Sequence, residues 1–157
     1  MIVPHTKTGS RVQVNRWALR LIIGARVGHL ATATKTGEPH VVPICFTYDH
    51  LTIFSSIDRK PKKTEATMLR RMLNISKNAK VCLVFDRYDE DWRKLAYVII
   101  HGRAKILVNG KEHQHAVRLL KRKYHQYKAM KLDDRPVIKI MPTRMVAWKY
   151  ADRQISG

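Results

Sequence analysis

The sequence predicts one domain of mainly β structure with accessory helices, an antiparallel barrel of the α+β kind. Three observations predict it. Six or seven short apolar runs read as strands, while only three segments carry helical spacing. Strands mostly follow strands, which disfavours parallel βαβ winding. A small antiparallel sheet removes its exposed edges by closing on itself. The 157 residues suit one compact domain spanning 1–157, and neither an internal repeat nor a Ser/Gly/Pro-rich linker divides them.

Residues 1–10 read as a loose N-terminal arm. From Ser10, "SRVQVNRWALRLIIGA" places Trp17, Ala18, Leu21 and Ile22 on one helical face, and Gly24 ends it. "RVGHLATAT" is strand-like, and "KTGEP" is turn chemistry, with Gly37 free to take positive φ. "HVVPICFTY" and "LTIFSS" complete an expected three-strand meander. Pro43 cannot donate to a ladder, which implies an edge or a bulge. A helix is expected from Thr64 to about Ala79, with Thr64 as cap and Glu65 at the positive end. "KVCLVFD" is a strand and "RYDEDWRK" a polar connection. "LAYVIIHGRAKILV" is a long strand bent or bulged at Gly102. Asn109-Gly110 turns the chain into the basic amphipathic helix "KEHQHAVRLLKRKYHQY". One or two strands split by Pro142 close the domain.

Charge is the compositional outlier. Lys and Arg total 31 against 12 Asp and Glu, a net charge of +19. Such a field concentrates anions, which makes nucleic acid, anionic lipid and phosphorylated or carboxylated small molecules the partner classes. Cys45 and Cys82 lie in apolar runs and read as core thiols. The apolar stretch "WALRLIIGARVGHLATA" is broken by Arg20, Arg26 and His29, so neither a signal peptide nor a membrane span is expected. The expectation is a soluble, cytoplasmic protein.

Most motifs fail on spacing. There is no G-x-G-x-x-G, and "NGKEH" lacks the flanking residues of a P-loop. His113 and His115 are two apart and do not share a helical face, so a metal site is not expected and a solvated helix start is. His40 and Cys45 fall on opposite faces of one predicted strand, which disfavours a cysteine nucleophile. "DRYDEDW" reads as a charged hairpin connection. Aromatics do not interleave with the basic residues, so a nucleic-acid-binding module rests on charge alone and stands as an alternative.

The basic cluster "SSIDRKPKKTEATMLRRM" carries more. Lys60 and Lys62 alternate on one side if extended, and Pro61 holds the segment out of helix. A phosphate needs fixed donors and positive charge. Taken in order, "HLAT", "GEPHVVP", "RKPKKT" and "DRYDEDW" resemble the pyridoxamine-phosphate-oxidase-like family with the flavin-binding split barrel. The most similar branch is that of deazaflavin (coenzyme F-420)-dependent oxidoreductases. The resemblance runs from about Arg26 to Trp148.

The resemblance implies an antiparallel split β-barrel of the FMN-binding type, homodimeric, with cofactor sites at the subunit interface. It places His40, Val42 and Pro43 along the cofactor ring, and Ser56, Lys60, Lys62 and Lys63 on the phosphate. Trp92 and Trp148 approach from the same or the partner subunit. It implies an oxidoreductase moving hydride between coenzyme F-420 or FMN and a small organic substrate. The +19 charge favours the deazaflavin, whose glutamate tail would use Lys35 and Arg59. No C-terminal segment resembles the substrate-binding end of a true pyridoxamine phosphate oxidase. No general acid or base is identified: His40 is the one candidate near the ring, and a positioning or hydrogen-bonding role is favoured for it. Cofactor binding without turnover is a further alternative.

Overall fold

The computed structural model describes residues 15–57 and 69–150. The expected N-terminal arm and the basic segment with Arg59, Lys60, Lys62 and Lys63 lie outside them, as do Thr64 and Glu65. Along the chain come α1 (Arg16–Gly24), β1 (Gly28–Ala33), β2 (Pro39–Ile44), β3 (Thr47–Asp49) and β4 (Thr52–Ser56). They are followed by α2 (Arg70–Lys77), β5 (Lys80–Arg87), β6 (Ala96–Leu107), α3 (Lys111–Lys123) and β7 (Val137–Lys149). The seven strands form one antiparallel sheet in the order β2-β1-β5-β6-β7-β4-β3, curled into a half-barrel.

The expected meander is not one. β1 pairs with β2 and β3 pairs with β4, but β2 and β3 stand at opposite ends of the sheet. The run read as a single middle strand breaks at Cys45 and Phe46. The physical cause is Tyr124, which takes the ladder's place. Its hydroxyl accepts from the Phe46 N–H (3.0 Å) and lies 2.9 Å from the Phe46 carbonyl and 2.8 Å from that of Arg26. Pro43 does sit on an edge strand, where its missing N–H costs no ladder bond.

Other local expectations hold with adjustments. Helix α1 ends at Gly24, and Gly37 takes φ 95° in the β1–β2 turn. The register of β6 and β7 shifts between His101 and Gly102, where Gly102 faces Pro142. A Cβ at Gly102 would meet the Met141 carbonyl oxygen at 2.7 Å, so only glycine fits. Pro142 thus sits at the bulge and β7 runs through it unbroken. Helix α2 runs from Arg70 with Leu69 extended (ψ 134°), and the expected start at Thr64 lies outside the described residues.

The sheet has two faces with different fates. On the concave face Leu30, Leu83, Phe85, Val98, Ile100 and Ile140 form the main core, plugged by Ile22 of α1 and by Met72 and Ile75 of α2. Fixing these residues in contact removes apolar area from water, the main driving force here. On the opposite face α3 covers only the β4–β7 end, where Ala116, Val117 and Leu120 pack on Phe54 and Val137. His113, expected to be solvated, is 2% exposed, and its Nε2 lies 2.7 Å from the Arg135 carbonyl.

Candidate functional site: the sheet face and the entry to the basic segment

The outward face of β2, β1, β5 and β6 is apolar and uncovered by any described element. Register places Val41, Ala31, Cys82, His101 and Arg144 in one row across it. The adjacent row is Pro43, His29, Val84, Ile99 and Val146. Val41 is 59% exposed, and Val84 and Ile99 are half-buried. At the upper rim Trp148 stacks on Tyr97 with ring centroids 5.5 Å apart. Arg144 Nη2 donates to His101 Nε2 (3.0 Å), which sets a cation at the edge of the apolar rows. Cys82 is half-buried on this face, which is not the core position expected, while Cys45 in the strand break is half-buried and packs against the second core. Burial pushes the Cys82 thiol pKa up, with Arg144 opposing.

The residues expected along a cofactor ring divide between faces. His40 pairs with Thr32 and Val42 with Leu30, so both point toward the core side. Pro43 points the other way, beside His29. The β2 strand is held there through Thr32, whose hydroxyl donates to the His40 carbonyl (3.5 Å) and accepts from Asn74 Nδ2 (3.0 Å) on α2.

Ser56 closes β4 opposite Val137 and is 5% exposed. Its Oγ has no hydrogen-bond partner among the described residues. A buried hydroxyl without a partner costs about 1–3 kcal/mol, so such atoms are uncommon and ask for a cause. Two residues later the chain enters the segment that carries Lys60, Lys62 and Lys63.

Trp92 and Trp148 are not near Ser56. Trp92 is 64% exposed in the short 3-10 turn (Trp92–Lys94) between β5 and β6. That connection closes on itself: Asp91 bonds Arg93, Lys94 lies 3.6 Å from Asp89, and Arg87 Nε donates to the Lys94 carbonyl (2.8 Å). The hydrogen bond from Arg93 holds the Asp91 carboxyl below its ordinary pKa. Trp148 and Val137 lie at opposite ends of β7, separated by roughly 35 Å of strand at ~3.3 Å per residue. One chain therefore does not bring the tryptophans and Ser56 together.

Sequence reasoning missed Val41, Ala31, Val84 and Ile99 as a surface. The signal was available in "KVCLVFD" and "AYVII", which are apolar on both faces. Strands of that kind want cover on both sides. Among the described residues, no group of three or more His, Cys, Asp or Glu side chains is arranged to hold a metal, and no helix is long and apolar enough to cross a membrane.

Comparison with known proteins agrees with this architecture. No curated protein matches the sequence. A conserved hypothetical protein from Mycobacterium tuberculosis superposes with a TM-score of 0.72 at 15% identity, covering 97% of this chain and 95% of its own. A heme storage protein from Vibrio cholerae gives 0.68 at 12% identity, covering 88% and 95%. A FAD-binding protein from Mesorhizobium loti gives 0.61 at 20% identity, covering 82% and 87%. At these identities the likeness is one of fold. The sequence profile of pyridoxamine 5'-phosphate oxidase matches residues 18–149. The chain belongs to the pyridoxamine 5'-phosphate oxidase family and has its split-barrel fold.

Proposed function

We propose that this chain is a flavin- or deazaflavin-dependent oxidoreductase that works as a homodimer on a small organic substrate. The observation that carries the reading is the buried, unpartnered Ser56 hydroxyl at the entry to the basic segment. A phosphate there accepts from Ser56 and from Lys60 and Lys62 or Lys63, and charge-assisted bonds of that kind are the strong ones. When bound, the cofactor supplies the hydride chemistry, and the protein binds and orients it. The apolar rows around Ile99 and Val84 offer a flat, water-excluding bed, and Pro43 lies in the same row.

Dimerisation is part of the reading. The uncovered face spans five strands and presents Val41, Val84, Ile99 and Val146 among His29, His101 and Arg144, and apolar side chains left on a surface in this way suit an interaction site. A second copy seated on it also supplies Trp92 or Trp148 to the neighbour's Ser56 end, a meeting that the length of β7 denies to one chain. For coenzyme F-420 rather than FMN, the support is a recess of about 220 Å³ lined by Lys35, Arg70 and Lys77 with Thr34 and Thr36. Its three cations suit a polycarboxylate tail.

Titration of the full chain with FMN and with coenzyme F-420, followed by absorbance and fluorescence, tests the reading. Saturable binding of one of them is expected. Ser56→Ala combined with Lys60→Ala and Lys62→Ala should weaken it at least tenfold, since a lost tenfold corresponds to about 1.4 kcal/mol. If neither cofactor binds, the reading fails. Val41→Asp, at an exposed position, should give a monomer by light scattering and lose cofactor affinity with it. Full affinity in a monomer would remove the partner subunit from the site. Binding without reduction of any candidate substrate would favour a carrier of cofactor over an enzyme.

A further inference from the structure

A second cluster of cations lies off the apolar sheet face, beside the edge strand whose Thr47 faces Phe54, two residues before Ser56. The end of α1, strand β3 and the last turn of α3 enclose a cleft of about 420 Å³. Arg26, Arg122 and Lys123 line it together with Thr47, Tyr48 and Leu119. None of the three cations has a carboxylate within ion-pair distance among the described residues. The nearest acid along the strand, Asp49, is engaged with His115 Nε2 at 2.7 Å.

The frame around these cations is rigid. Tyr124 ties the Arg26 and Phe46 backbones to α3 through its buried hydroxyl. Arg26 Nη1 donates to the Lys123 carbonyl (2.8 Å) and its guanidinium lies 4.6 Å from the Tyr124 ring centroid. Lys123 Nζ sits 3.7 Å from the Phe46 ring centroid. In the last turns Leu120 O accepts from Tyr124 N–H, and Leu21 O and Ile22 O accept from Ala25 N–H. Burial and then Arg26 push the Lys123 amine down to about 8. A like-charge cluster held together without a counter-charge is what an anion would relieve.

We propose that this cleft is a second anion site, separate from the cofactor site, that takes a small phosphate-bearing molecule. Two arginines supply planar donors suited to phosphate oxygens, and Lys123 and the Thr47 hydroxyl add single donors. The volume exceeds that of one phosphate group and falls in the range of small-molecule pockets, so an ester with an apolar body against Leu119 and Tyr48 is the class of ligand.

Pyrophosphate is the probe, measured by calorimetry on the full chain with and without bound cofactor. Wild type should bind it at a site that persists in the Lys60→Ala/Lys62→Ala double variant. Arg122→Ser, at an exposed position that leaves the fold intact, should weaken that site at least tenfold. In ¹³C-lysine NMR, with the Lys123 signal assigned through Lys123→Arg, pyrophosphate should raise the titration midpoint of Lys123. Loss of all binding in the Lys60/Lys62 variant would overturn the proposal, and so would affinity unchanged by Arg122→Ser or a Lys123 midpoint that stays put. None of these outcomes depends on whether a flavin or deazaflavin is the cofactor.

Discussion

The two ends of α3 solve the same electrostatic problem in opposite ways. At the first turn Lys105 and Lys139 stand directly across from one another on β6 and β7, like charges in a cross-strand pair. Glu112 bridges them, bonding Lys139 and lying 3.7 Å from Lys105. The Glu112 carboxyl is held below its ordinary pKa, first by the Lys139 hydrogen bond. At the last turn Arg26, Arg122 and Lys123 converge with no acid among them, and there the lysine is the group that shifts. A paired cation cluster is a structural tie. An unpaired one is an empty demand for an anion, and the contrast distinguishes charge that serves the fold from charge that serves a ligand.

The largest expected effect breaks the frame of the unpaired end. Tyr124→Phe strands the Phe46 N–H and releases the Arg26 and Phe46 carbonyls. Stability should fall by about 1–3 kcal/mol, the cost of a buried group left unmatched. Urea unfolding with an unchanged m-value checks it. A loss of only a few tenths would mean that the strand break between β2 and β3 does not depend on this hydroxyl.

A smaller effect of opposite sign is expected at Lys123. Its folded-state value near 8 lies below the ordinary 10.5 of an unfolded lysine, so the unfolded chain holds the proton more tightly. The penalty is fully present below about pH 8 and disappears as pH rises toward 10.5. Lys123→Met should therefore be more stable than wild type at pH 7, and the wild-type gain in stability between pH 8 and 10.5 should flatten. After discounting for the solvent-facing part of the side chain, the difference is on the order of 1–2 kcal/mol. Urea titrations at several pH values measure it, and equal slopes would sink the account.

The smallest effect belongs to the paired end. Glu112→Gln should cost about 1 kcal/mol or less, because the carboxylate is part-exposed and screened. Its contribution is present above the ordinary carboxylate pKa near 4.5 and disappears as pH falls through the depressed folded value. High salt should shrink the difference between variant and wild type.

Much of the fold was legible because its signals are local. Gly37, Gly102 and Asn109-Gly110 mark turns and a bulge by backbone geometry alone, and the strand periods are plain. Strand order was not legible. β2 and β3 read as one run because Cys45 and Phe46 are as β-prone as their neighbours, and the break is imposed by Tyr124, far away in sequence. The buried state of His113 was hidden for the same reason, since its partner is the Arg135 carbonyl. Of the residues expected at the site, sequence position marks Ser56 at a strand end, whereas adjacency in sequence hides that a strand sends His40 and Pro43 to opposite faces.

The strand order also dictates when the molecule can form. β4 pairs on one side with β3, its near neighbour, but on the other with β7, so Ile53 must find Ile140. During synthesis that pairing waits for residue 140, while β1, β5 and β6 can already pair. Contacts between such distant parts of a chain close slowly because loop entropy is lost before they form. The nascent chain thus spends its vulnerable interval with β4 unzipped, and the burial of Ser56 is among the last features to form.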